Sequence, residues 1–211
     1  MKKDYSIVQA ELVHSAREKV AKLFQDYPVK GHNLDHAERV AEHAVVIAEG
    51  EGYKDVYLCE LAGLVHDIGR AIEHYKAEKR KLSHHEFSYE LLRAWFNEDD
   101  RFKILGREQK IALLYTVRYH WNNAADDYEL AWILRDADKL DLFGEIGIQR
   151  ITEYRNGDKE KIQQDMRFEY DCLYWIRTET AKRIIEEQKL MEPVNTFYKT
   201  FLKEQIKPIV L

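Results

Sequence analysis

One stretch, Leu61-Ala62-Gly63-Leu64-Val65-His66-Asp67-Ile68-Gly69-Arg70, constrains the fold more than any other part of the chain. An apolar helical run ends there in an adjacent His-Asp pair, followed by Gly and Arg. Neighbouring side chains on a helix diverge by about 100°, so a single helix cannot aim both at one ion. Both serve a common ligand only if other helices bring further donors to the same point. Those donors are present: His36 upstream, His85 and His120 downstream, and Asp138 in Arg135-Asp136-Ala137-Asp138-Lys139-Leu140-Asp141. Imidazole together with carboxylate suits a divalent transition metal (Mn, Fe, Ni, Co or Zn) rather than Ca or Mg alone.

The rest of the chain predicts helices to carry them. Three prolines and nine glycines in 211 residues leave long uninterrupted segments. Apolar positions recur at helical spacing over 8–24, and Pro28 closes that segment. Asn33 is placed to cap a helix running to about Glu49, and Asp55 to cap one leading to His66. Ser83 is placed to cap a helix from His84 to Phe96. Further helices are expected over 107–119, delivering His120, and over 128–143, carrying Asp138. A loop around Asn156-Gly157-Asp158 precedes an expected long helix over 168–189, then Pro193 and a last helix to about Ile206. No strand pair, repeat or low-complexity segment stands out. The expectation is an all-α single domain spanning 1–211, with helix 8–24 and the helices of 160–206 packed on a core at about 31–151.

The ordered set His36, His66-Asp67, Asp138 resembles the HD-domain metal-dependent phosphohydrolases, from about Gly31 to Ile151. His36-Ala37-Glu38-Arg39-Val40 is similar to the family's H-x-x-R-V ligand helix, and Ala137-Asp138-Lys139 to its A-D-K pattern. The resemblance makes His36, His66, Asp67 and Asp138 one metal's ligands, with Asp138 preferred over Asp136. Asp136 and Asp141 then become supporting groups. In two-metal members two more histidines follow and the HD aspartate bridges. His84-His85-Glu86-Phe87-Ser88-Tyr89-Glu90-Leu91-Leu92 resembles their H-E-x-x-x-x-L-L helix, which favours His85 over His84, and His120 follows in the expected context. One or two metals per chain are therefore implied, His85 and His120 otherwise binding substrate phosphate. Gly144-Glu145-Ile146-Gly147-Ile148-Gln149-Arg150 is similar to a bacterial subgroup of predicted HD hydrolases, part of it associated with nucleotide pyrophosphohydrolase activity. Ile176-Arg177-Thr178-Glu179-Thr180-Ala181-Lys182 fits that subgroup more loosely.

The function implied is hydrolysis of a phosphate ester or phosphoanhydride of a small molecule, a nucleotide above all, by water activated on the metal. Asp67, Arg70 and Lys139 are the candidate catalytic groups. A guanidinium at Arg70 can hold a phosphate bidentately, and Lys139, His85, His120 and Trp121 complete the candidate substrate contacts. Lys76, Lys79, Arg80 and Lys81 form a basic run that could steer anions. His14, His32, His43 and His74 are read as structural or exposed. The alternatives are an HD-fold di-iron oxygenase and a nucleotide-binding regulatory module without turnover. A net charge of −5 argues against a general nucleic-acid binder. No apolar run approaches the roughly 20 residues of a membrane span, and the N-terminus lacks a secretory h-region. Two isolated cysteines, Cys59 and Cys172, fit the reducing cytoplasm. An exposed stripe on the C-terminal helices would serve a homodimer or cover the core. P-loop, dinucleotide and serine-hydrolase motifs are missing.

Overall fold

A computed structural model describes residues 5–76 and 82–205, with side chains assigned through 73 and from 82 to 200. Lys79, Arg80, Lys81 and the side chain of Lys76 lie outside the described residues, and with them the basic run.

The described chain is helical, with no strand among its residues. In order the α-helices are α1 (Ile7–Asp26), α2 (Leu34–Glu51), α3 (Val56–Val65), α4 (Arg70–Lys76), α5 (His84–Glu98), α6 (Arg107–Arg118), α7 (Glu129–Leu140), α8 (Gly144–Tyr154), α9 (Lys159–Tyr174), α10 (Glu179–Glu187) and α11 (Met191–Gln205). A 3-10 turn, Asp100–Ile104, joins α5 to α6.

The centre is α3. Every residue from Tyr57 to Val65 is buried, as a helix apolar on all sides must be. Helices α1, α2, α6 and α7 surround it. A Cβ on Gly63 would lie 2.5 Å from the Ala41 Cα, so this glycine lets α3 seat directly on the α2 backbone. The core continues through Leu12, Val40, Ile47, Leu61, Leu113 and Leu134 to Ala181 and Ile184 of α10. A small second cluster, Ile151, Ile162, Met166 and Val194, ties α8, α9 and α11 together.

Several caps differ from expectation. Asn33 caps α2 as expected, its Oδ1 accepting from the His36 amide at 3.1 Å. Asp55 precedes α3 without a side-chain cap, because its carboxylate accepts from Gln109 at 3.1 Å instead. Ser83 likewise makes no cap bond to α5. Helix α4 follows the His-Asp pair, where no separate helix was expected. The expected helix over 168–189 is two helices, broken between Tyr174 and Glu179. Asp136 causes the break by drawing the Arg177 and Thr178 amides to its Oδ2, at 2.9 and 2.7 Å. Those amides are then lost to a continuous helix.

Candidate metal centre

His66 and Asp67 stand at the turn that ends α3, and the chain bends there through Ile68 and Gly69 into α4. A Cβ on Gly69 would lie 2.0 Å from the His84 carbonyl and 2.5 Å from the Ser88 amide. The Gly69 amide also donates to Ser88 Oγ at 2.8 Å. The missing side chain therefore brings the start of α5, with His84 and His85, against the His-Asp turn. Helices α2, α6 and α7 supply His36, His120 and Asp138 from the other sides.

Each histidine's second nitrogen fixes which atom faces the centre. His66 Nδ1 lies 2.8 Å from the Gly63 carbonyl and His120 Nδ1 2.7 Å from the Val117 carbonyl. A carbonyl only accepts, so both Nδ1 atoms carry the proton and both Nε2 lone pairs turn inward. His36 Nδ1 meets Asp141 Oδ2 at 2.6 Å. Asp141 is itself held by Arg39 Nε at 2.6 Å and Arg150 Nη1 at 2.7 Å. Metal-binding histidines characteristically carry such outer partners.

The inward atoms converge. His36 Nε2 and His66 Nε2 lie 3.5 and 3.7 Å from Asp138 Oδ1. His84 Nε2 and His120 Nε2 lie 3.5 and 3.7 Å from Asp67 Oδ1. Three donor groups result, each with its atoms within 4.8 Å of one another: His32-His36-Asp67, and the two that share no residue, His36-His66-Asp138 and His84-His85-His120. Asp67 lies between the last two, since its Oδ2 is 3.9 Å from His66 Nε2 while its Oδ1 faces His84 and His120.

His36 Nε2, His66 Nε2, Asp67 Oδ1, His84 Nε2 and His85 Nδ1 are buried without a hydrogen-bond partner. Orphaned polar atoms in a protein interior are costly and rare. These five belong to groups that bind transition metals, which is the donor chemistry such an ion requires. Burial, with Arg150 adding, pushes His36 down to about 4, and burial with the neighbouring His120 pushes His85 down to about 3. Burial likewise lowers His84 and His120. Burial would raise Asp67, but Arg70 and His66 outweigh it and hold the carboxyl well below its usual range. Neutral imidazoles beside ionised carboxylates are the protonation states that bind metal.

Arg70 and Lys139, the expected phosphate contacts, line a cavity of ≈ 990 Å³ that opens from this centre. Arg70 Nε lies 3.3 Å from Asp67 Oδ2, and Lys139 Nζ lies 3.9 Å from Asp136 Oδ1. Trp121 borders the same cavity and stacks on His85, ring centroids 5.6 Å apart at 20°. Asp136 points away from the centre, to Arg177 and Thr178.

Two residues enter the site against expectation. His84, set aside for His85, faces Asp67 Oδ1 at 3.5 Å against 3.7 Å for His120, and its ring lies tilted at 52° against His85 with centroids 3.6 Å apart. His32, read as structural, places Nδ1 2.9 Å from Asp67 Oδ2. Helical spacing carries no signal for His32, which precedes the Asn33 cap of α2.

The fold and donor set thus define an all-helical protein built around a buried histidine–aspartate centre that can hold divalent metal. Residues 33–142 match the HD domain, and the chain belongs to that family. The fold resembles Bacillus subtilis YpgQ in complex with ADP, at 22% identity over 97% of this chain and 100% of that one, TM-score 0.68. It also resembles a predicted HD superfamily hydrolase from an uncultured Thermotogales bacterium, at 25% identity over 93% and 92% of the two chains, TM-score 0.61. An uncharacterized protein, L803, of Acanthamoeba polyphaga mimivirus is 28% identical over 147 residues, covering 65% of this chain. The match spans 58% of that protein's own length. The HD-superfamily hydrolase fold supports a metal-dependent hydrolase. Among the described residues no helix is long and apolar enough to cross a membrane.

Proposed function

We propose that this protein is a cytoplasmic metal-dependent phosphohydrolase that cleaves a phosphate ester or phosphoanhydride of a nucleotide. The observation that carries the reading is the convergence of unpartnered, buried histidine and aspartate atoms beside a cavity lined by Asp67, Arg70, His84, His85 and Lys139. His36, His66, Asp67 and Asp138 would hold one metal. His84, His85 and His120 would hold a second, with Asp67 shared. A divalent ion so bound acidifies water and offsets charge on phosphate oxygens.

The chain's own groups do the positioning. Asp141 holds the His36 ring, and the Gly63 and Val117 carbonyls hold those of His66 and His120. His32 and Arg70 fix the Asp67 carboxylate from one side. Arg70 and Lys139 put positive charge on the cavity wall, where a phosphate's oxygens would be clamped. The YpgQ complex, a neighbour in fold, contains ADP, which supports a nucleotide as the substrate class. Two free buried cysteines fit a reducing compartment.

The test is phosphate or pyrophosphate release from a nucleotide panel, by native protein and Asp67→Asn, with Mn and with Fe. Metal-dependent release by native protein and its loss in the variant are expected. Release that survives Asp67→Asn would overturn the mechanism. The paired histidine groups also suit a di-iron oxygenase, and oxygen uptake by iron-loaded protein without phosphate release would favour that reading.

A further inference from the structure

The cavity is also lined by residues that metal chemistry does not use. Both exposed tryptophans among the described residues, Trp121 and Trp175, border it, together with Phe168 and Tyr174. Phe168 and Trp175 are 52% and 56% exposed and meet edge to face, centroids 5.8 Å apart. Large aromatic rings left half in water beside a cavity lose the burial that normally stabilises them. They are also held in place. The Arg177 and Thr178 amides and the Thr178 hydroxyl, at 2.8 Å, all donate to Asp136 Oδ2. Ile176 beside Trp175 is buried. The Arg177 guanidinium lies over the Trp132 ring at 3.3 Å. The wall is thus fastened to α7 two residues before Asp138.

We propose that Phe168 and Trp175 form the subsite that stacks the nucleobase, so that selection of the substrate's organic part lies in residues 168–178, outside the segment matching the HD domain. The inference rests on the nucleotide reading above. Continuity supplies the occupant, because the histidine–aspartate centre, Arg70 and the two rings all face one cavity. A ligand that carries both a phosphate and a flat ring matches that set of surfaces. Stacking on aromatic side chains accepts any base through its π-face, so these rings confer preference for a base over none rather than for one base.

The experiment compares native protein with Trp175→Ala, Phe168→Ala and Trp175→Phe. KM is measured for nucleoside triphosphates, and the inhibition constant for inorganic tripolyphosphate, which lacks the ring. The alanine variants are expected to raise the nucleotide KM about tenfold. Trp175→Phe is expected to restore most of it, and the tripolyphosphate constant to move less than twofold in all three. Nucleotide should quench the indole emission of native protein more than that of Trp175→Phe. Equal shifts for nucleotide and tripolyphosphate, or none for either, would overturn the subsite. So would a native dimer that Trp175→Ala dissociates while leaving the nucleotide KM unmoved, which would make the rings a subunit interface. If native protein released neither phosphate nor pyrophosphate from any nucleotide, the nucleotide reading would fail before any variant was made, and the subsite with it.

Discussion

The two halves of the molecule solve different problems. In the first, α2, α3 and α7 enclose the metal-type centre, and its polar atoms are fixed by partners such as Asp141, Gly63 and Val117. In the second, Phe168 and Tyr174 of α9 and Trp175 just after it stand half or more in solvent, behind a small separate core. Burial gives the first half rigidity, which a site for a specified ion needs. Exposure leaves the second half free to vary what it contacts. On the proposed function, the two halves divide the labour, with reaction chemistry assigned to the buried half and substrate choice to the exposed one.

That division can be broken from either side. The largest effect on the centre is expected from Asp141→Asn, which keeps the shape but removes the charge partner of His36, Arg39 and Arg150. Metal affinity should fall about 10–100-fold, read by competition with a fluorescent chelator. An unchanged affinity would mean that Asp141 supports only the fold. Gly69→Ala comes next, since its methyl would collide with the backbone that presents His84. A loss of about 1–3 kcal/mol in denaturant unfolding is expected, with turnover reduced alongside. Turnover at native level would show that the α5 histidines are dispensable.

On the other half, Asp136→Ala should release the 175–178 segment at a cost of about 1–3 kcal/mol. Nucleotide KM should rise while the metal affinity set by Asp138 holds, and a fall in metal affinity instead would erase the division. The smallest effect on turnover is expected from Glu169→Gln on α9. Burial, with Asp165 adding, raises this carboxyl from 4.5 to about 8. Below pH 4.5 it is protonated in both folded and unfolded chains. Between 4.5 and 8 only the unfolded chain releases the proton, so stability falls as pH rises, by up to about 1.4 kcal/mol per pH unit. The glutamine variant should flatten that slope, and a slope identical to native would show that the carboxylate finds solvent.

How much of this was legible in the sequence follows the same boundary. The helices around His36, His66 and Asp138 were readable because burial imposes strong periodicity, and adjacent His and Asp demand donors from elsewhere. His32 was missed because it precedes its helix, where periodicity carries no information and a lone histidine is ordinarily structural. His84 was set aside on a motif, whereas the close approach at Gly69 brings both histidines of the pair inward. The break at 175–178 was invisible because its cause, Asp136, lies some 40 residues away in sequence. Asp55 and Ser83 failed as caps for a related reason. Tertiary partners or orientation overrode a local preference.

The most direct test of the centre is metal content of protein purified without chelator, combined with an anomalous-scattering map at the metal's absorption edge. The expected result is density among His36, His66, Asp67 and Asp138, with a second peak by His84, His85 and His120 if both groups load. Metal bound elsewhere, or protein that stays metal-free in excess Mn and Fe, would contradict the assignment of these residues.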